Sequence, residues 1–295
     1  MKHSLFSFLM GLFSAVPLLA AEMDIALRTD PIATPFARKG GTIRLNSTPP
    51  RSQNGYVDSN THTRMMFDLM YESLIGLDSQ TLDAVPGLAR SWTISPDGRE
   101  LSFEMDSRAH WSDGKPITAE DVKWTFDTVM DPKHDTGVWK VVLGGFDSPT
   151  VRGNTVVFSR RGDSERDWRD LILLGTFPIL PSHALAGRDF NRLDFINEPV
   201  SGAYSLVRIE EQVEAEYRRH GRWWRQDYPA YRNVCNFDRI ILKYYVDNEN
   251  AFEALKKRAI DIYPVYTARI MAQETHGEKF DRNWLLKRRV RNHAP

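Results

Sequence analysis

The sequence predicts an α/β fold, and three observations carry that prediction. "FDRIILKYYVDNENAFEALKKRAIDIYPVY" (residues 237–266) reads as strand, helix and short strand in succession, the order that builds α/β layers. "SWTISPDGRELSFEM" places two β-favouring runs around Ser95-Pro96-Asp97-Gly98, with Pro and Gly where a hairpin turn wants them. Met66, Leu69, Met70 and Leu74 repeat at helical spacing before Gly76, which predicts an amphipathic helix over 62–75.

The elements follow in order along the chain. Lys2 and His3 precede an apolar run from Leu5 to Leu19, and Ala20 and Ala21 follow. The run is shorter than the roughly 20 residues a spanning helix needs, and its tripartite pattern predicts a cleavable secretory signal over 1–21. After a polar lead, "GGTIRLNS" predicts a first strand. "NSTPPRSQNGYVDSN" has turn residues and no apolar period, so it predicts an irregular loop. A loop leaving the end of a core strand is a common binding element.

The stretch "HWSDGKPITAEDVKW" (residues 110–124) is dense in ionisable groups. Ser112-Asp113-Gly114 predicts a turn, and Thr118 with Asp121 three residues on predicts a capping box that opens a helix. Val122, Phe126 and Val129 then mark that helix's buried face. These charges read as scaffold rather than chemistry. "SPTVRGNTVVFSR" predicts a strand pair around Gly153-Asn154, "DWRDLILLGTFPILPSHAL" a buried apolar segment, and "SGAYSLVRIEEQVEAEYRR" two strands with a turn near Glu210 and Glu211. Asp247 and Asn248 mark the start of the last helix, with Phe252, Leu255 and Ala259 on one face and a short strand at 260–263 after it.

Lys plus Arg equals Asp plus Glu at 39 each in 295 residues, so no bulk charge recruits nucleic acid or an anionic surface. Cys235 is the only cysteine; an exported chain with one cysteine has no internal disulfide, and its strand-like neighbours predict a buried structural thiol. The sequence contains no Gly-x-Ser-x-Gly elbow, His-Glu-x-x-His, phosphate-binding glycine loop or Cys/His ligand spacing. His62, His110, His134, His183 and His220 stand isolated, and Arg161-Gly162-Asp163 reads as a coincidental tripeptide. "YRRHGRWWRQDYPAYR" interleaves Arg, Trp and Tyr as single-strand binders do, but the balanced charge favours a turn in which Trp223 and Trp224 anchor a loop. Glu210, Glu211, Glu214 and Glu216 read as an exposed strand face rather than a glycosidase pair.

The ordered segments "GGTIRL", "MMFDLMYESLIGLD", "PGLARSWTISPDGRELSFEMDSRAHWSDGKPITAEDVKWTFD", "ILPSHAL", "SGAYSL" and "GRWWRQDYPAYRNVCNFDRIILKYYVDNENAFEALKKRAIDI" resemble the extracellular solute-binding proteins of family 5, and within them the Yej-type peptide-binding branch. The likeness runs from about Gly40 to Asp261. Ala203 stands where many members have Pro, and Arg258-Ala259 where a Gly is usual. The resemblance implies a class II, three-domain periplasmic-binding-protein-like fold. A first lobe (22–62 and 161–262) would carry an inserted small α/β domain (63–160), with a second lobe beginning at 263 and truncated by 295.

The same resemblance implies a non-enzymatic, monomeric binding component of an ABC importer, without cofactor or metal. It would capture an oligopeptide in the periplasm and deliver it to permease subunits of the inner membrane. Its ligand-binding residues would be Ser47, Thr48, Arg51 and Tyr56 in the loop after the first strand, and Trp139, for which pocket wall and core packing both stand open. Two other classes stay in view: an exported hydrolase, and a non-binding remnant of a longer gene.

Overall fold

The computed structural model describes residues 33–58, 60–78, 81–162, 169–228, 231–265 and 267–287. The predicted secretory signal and Asp163 lie outside the described residues. The first sheet is built from both ends of the described chain. β1 (Thr42–Ser47) runs parallel to β10 (Arg239–Tyr244), which pairs antiparallel with β9 (Glu214–Arg219), and β9 pairs antiparallel with β8 (Tyr204–Glu210). In register, Leu45 faces Leu242, and Leu242 faces Ala215. Leu242 and Ala215 are buried.

The second sheet lies between those strands in sequence. Its order is β4 (Ala89–Ile94), β5 (Glu100–Met105), β7 (Thr155–Ser159) and β6 (Thr150–Arg152), antiparallel throughout. Strict alternation along β5 buries Leu101, Phe103 and Met105, the period-two signature of a sheet with one wet face. α2 (Ala119–Met130) covers the dry face with Val122, Phe126 and Val129, and the Phe126 ring meets Phe158 of β7 at 5.6 Å. A two-stranded ribbon, β2 (Ile75–Leu77) with β3 (Ala84–Pro86), connects the two regions.

One continuous apolar core runs through both sheets. It contains Phe103 and Phe158 of the second sheet with Tyr204, Tyr217 and Leu242 of the first. A separate small cluster of Phe252, Ile260, Tyr263 and Ile270 packs under α6 (Asn248–Lys256) and α7 (Ala268–Gln273). Asp247 caps α6 by accepting from the Asn250 amide at 2.7 Å. α8 (Glu278–Asp281) follows.

Four expectations change. The helix expected over 62–75 is α1, Thr61–Met70. Tyr71 turns extended because tertiary partners claim the next backbone groups: Ser201 and Gly202 amides donate to Met70 O, Ile179 N to Glu72 O, and Gly87 N to Leu74 O. The strand expected at 260–263 is reduced to a parallel bridge from Ile262 to Leu45. Cys235 is half-buried rather than buried and sits in a left-handed turn before β10 rather than on a strand, with φ of 52°; desolvation raises its thiol to about 11.

The fourth concerns the glutamates. Glu216 is 4% exposed, not on an open face, and receives Arg218 at 2.9 Å and Arg239 at 3.0 Å. Burial pushes its carboxyl up, but the two guanidinium hydrogen bonds outweigh that and hold it below its usual range.

Candidate ligand-binding site

The loop after β1 is irregular in shape and tightly tied. Asp58 is buried, and its carboxylate accepts from the backbone amides of Arg51 (2.6 Å), Ser52 (3.1 Å) and Asn60 (2.7 Å). Asn54, fully buried, accepts from Tyr56 N at 2.9 Å and donates to Phe190 O at 2.9 Å. Gln53 bridges the Tyr217 and Tyr244 hydroxyls of the first sheet. Asn60 caps α1 through the amides of His62 and Thr63 and donates to Thr48 Oγ1 at 2.8 Å. Buried side-chain acceptors thus replace the ladder hydrogen bonds that a strand would have supplied.

Two depressions flank this loop. One, of about 580 Å³, lies between the loop, α1, α3 (Gly137–Leu143) and α4 (Arg169–Gly175), with Arg51, Tyr56, Arg64, Trp139 and Leu173 on its walls. The other, of about 890 Å³, lies between the loop and the start of α6, and Ser47, Thr48, His62 and Asp247 line it. The five residues expected at the site are therefore divided: Arg51, Tyr56 and Trp139 share the first, Ser47 and Thr48 the second. Asp58 lines both.

Their chemistry differs. Tyr56 is buried and its hydroxyl donates to Pro178 O, so it offers a ligand only a ring face. Burial pushes its phenol well above the usual range. Trp139 packs edge-on to Tyr56 at 5.1 Å and still lines the cavity, so it belongs to the core margin and to the wall at once. The Arg64 guanidinium lies 4.4 Å over the Trp139 ring, and Arg64 Nε donates to Asp68 at 2.8 Å. Ser47 is buried, its hydroxyl donating to Thr48 O at 3.1 Å, while Thr48 is exposed. Burial lowers the His62 imidazole from its usual value.

Arg64, Asp58, Val138 and Leu173 were not expected from the sequence. Arg64 and Asp68 are spaced i,i+4 on α1, so their ion pair was legible. The aromatic seat was not, because Trp139 arrives from a distant helix.

Neither cavity is lined by any residue of 110–124. There the capping box forms as expected from Thr118 and Asp121, and Asp113 pairs with His183 at 2.8 Å. Trp223 and Trp224 anchor their loop, both indole N–H groups donating to Glu72 at 3.1 and 2.7 Å. Arg225, 3% exposed, lies 4.3 Å over the Trp224 ring and donates to the Tyr231 hydroxyl at 2.7 Å. Among the described residues no group of three or more His, Cys, Asp or Glu could hold a metal ion, and no helix is long and apolar enough to cross a membrane.

Comparison with known proteins agrees with this architecture. Residues 83–286 match the model of the bacterial extracellular solute-binding proteins, family 5 middle region. The peptidoglycan-binding protein YepA of Agrobacterium fabrum is 30% identical over 258 residues, covering 82% of this chain and 41% of that protein. The probable peptide-binding protein YejA of the same organism is 26% identical, covering 76% and 37%. Among solved structures, NikZ from Campylobacter jejuni in complex with Ni(L-His) superposes with a TM-score of 0.62 at 22% identity, over 79% of this chain and 45% of that one. The chain thus spans less than half the length of these relatives, and the fold is the class II fold of periplasmic binding proteins. By the family match, which takes in most of its length, the chain belongs to the bacterial extracellular solute-binding proteins of family 5.

Proposed function

We propose that this chain is the substrate-binding component of an ABC importer, capturing peptides in the periplasm and presenting them to permease subunits in the inner membrane. The observation that carries the reading is the roughly 580 Å³ cavity beside the loop after β1, walled by aromatic rings and two guanidinium groups. A concave, mostly apolar site with a few placed polar groups is what small-ligand capture requires. The basic-then-apolar start of the chain supports export. Of the expected ligand-facing set, Arg51, Tyr56 and Trp139 belong to this cavity, with Arg64 added, and Ser47 and Thr48 belong to the second depression across Asp58. Tyr56 acts through its ring, and Ser47 through the backbone it positions.

The family and fold are those of binding proteins, and the mechanism needs no bond chemistry. The cavity excludes water from an apolar group, and fixed donors meet the polar end. Thermal unfolding of the purified chain with and without a tri- to pentapeptide mixture tests the reading. Saturation at 100 times Kd is expected to add about 2.7 kcal/mol of apparent stability. An unchanged midpoint across millimolar peptide would refute it.

A further inference from the structure

Arg64 holds an unusual position among the cavity walls. Its Nε is committed to Asp68 and its Cζ lies 4.4 Å over the Trp139 ring, yet neither terminal nitrogen has a hydrogen-bond partner among the described residues. The side chain is 31% exposed and lines the cavity. Arg51, which also lines the cavity, spends one terminal nitrogen on Val57 O at 3.2 Å. Of the carboxylates on the lining, Asp58 is consumed by three backbone amides and Asp135 sits exposed at the rim. Beside these groups stand Val138 and Leu173, 69% and 36% exposed. The cavity therefore offers a guanidinium held over an aromatic ring and apolar surface left uncovered.

We propose that Arg64, with Arg51 of the same lining, receives a carboxylate of the ligand while Val138 and Leu173 cover an adjoining apolar group, so that the preferred ligand is a peptide ending in an apolar residue with a free α-carboxylate. This rests on the peptide-binding reading above. A planar, pre-oriented guanidinium matches a carboxylate bidentately, and seating on an aromatic face removes part of the side-chain entropy that such a contact costs. A hydrogen bond to a charged group contributes enough for about a tenfold difference in affinity.

The test is calorimetric titration of the full chain with Ala-Ala-Phe and with Ala-Ala-Phe carboxamide. The free acid is expected to bind about tenfold tighter or more, and in R64Q the gap is expected to shrink below about threefold. Equal affinity for acid and amide on the natural chain overturns the carboxylate assignment while leaving peptide capture standing. A gap that persists undiminished in a folded R64Q overturns the role of Arg64. Binding of neither peptide overturns the peptide reading and this inference with it. The acid-amide comparison on the natural chain decides the ligand chemistry even if R64Q does not fold.

Discussion

Replacing Asp121 by Ala probes a carboxylate that ties two elements of the scaffold together. Asp121 is 4% exposed. Its Oδ2 accepts from the Thr118 amide at 2.9 Å, and its Oδ1 accepts from Ser182 N at 3.1 Å and Ser182 Oγ at 2.6 Å. One carboxylate therefore closes the capping box of α2 and ties down the start of α5 (Ser182–Leu185). Alanine strands two backbone amides and removes a first-turn negative charge. The cap is worth about 1 kcal/mol, and the charge-assisted bonds to Ser182 about 2 kcal/mol more, so a loss of about 3 kcal/mol is expected.

Thr118→Ala is the internal control. It deletes the hydroxyl that accepts from Asp121 N at 3.4 Å and donates to Asp121 Oδ2 at 3.1 Å but keeps the Thr118 amide bound to Asp121, so it is expected to cost about 1 kcal/mol. Urea unfolding followed by tryptophan fluorescence separates the two. Eight tryptophans report, and Trp111 and Trp124 flank the region. An Asp121→Ala loss no larger than that of Thr118→Ala would refute the assignment. So would loss of peptide binding in Thr118→Ala with stability unchanged, because it would return residues 110–124 to the ligand site.

Two further outcomes are expected. Tyr56→Phe removes the hydroxyl that donates to Pro178 O and strands a buried carbonyl, for a loss of about 1–2 kcal/mol in the same urea assay; peptide affinity should stay within about twofold, since only the ring faces the cavity. His62 and His220 have imidazoles lowered by burial, His220 further by Arg222 and His110. Their neutral forms are therefore favoured in the fold. Their contribution to stability is complete above the unfolded value near 6.5 and is lost as pH falls through the lower folded values. Thermal midpoints from pH 8 to pH 5 should fall less steeply in a His62→Gln, His220→Gln chain, and an identical slope would contradict the burial argument.

What the sequence made legible was local. The capping box at Thr118 and Asp121, the 91–105 hairpin, the turn before Glu214 and the cap at Asp247 depend on residues within a few positions of one another. Each forms where the pattern places it. The early end of α1 was not legible, because nothing in "MYESLIG" announces that Ser201, Gly202, Ile179 and Gly87 will claim the backbone of 70–74. Propensity lost there to tertiary hydrogen bonding. Glu216 was misplaced for a related reason: alternation gives the face of a strand, but only the neighbouring Arg208, Arg218 and Arg239 make a buried carboxylate tolerable there.

The contrast between the charged stretch at 110–124 and the cavity has one physical origin. The charges of that stretch spend their hydrogen bonds on the scaffold, in the cap through Thr118 and Asp121 and on the distant His183 and Ser182 through Asp113 and Asp121. A binding wall needs donors left unspent, which happens where a side chain is held by something other than a full set of hydrogen bonds. Arg64 is held by stacking on Trp139, and Tyr56 by packing and a single bond to Pro178 O. Pro178 lies in the segment whose next turns are fixed to α2, through Leu180 N to Thr125 Oγ1 at 3.0 Å and Ser182 to Asp121. The ionisable stretch therefore acts on the cavity at one remove: it fixes the backbone that fixes Tyr56, and Tyr56 supports the ring on which Arg64 lies.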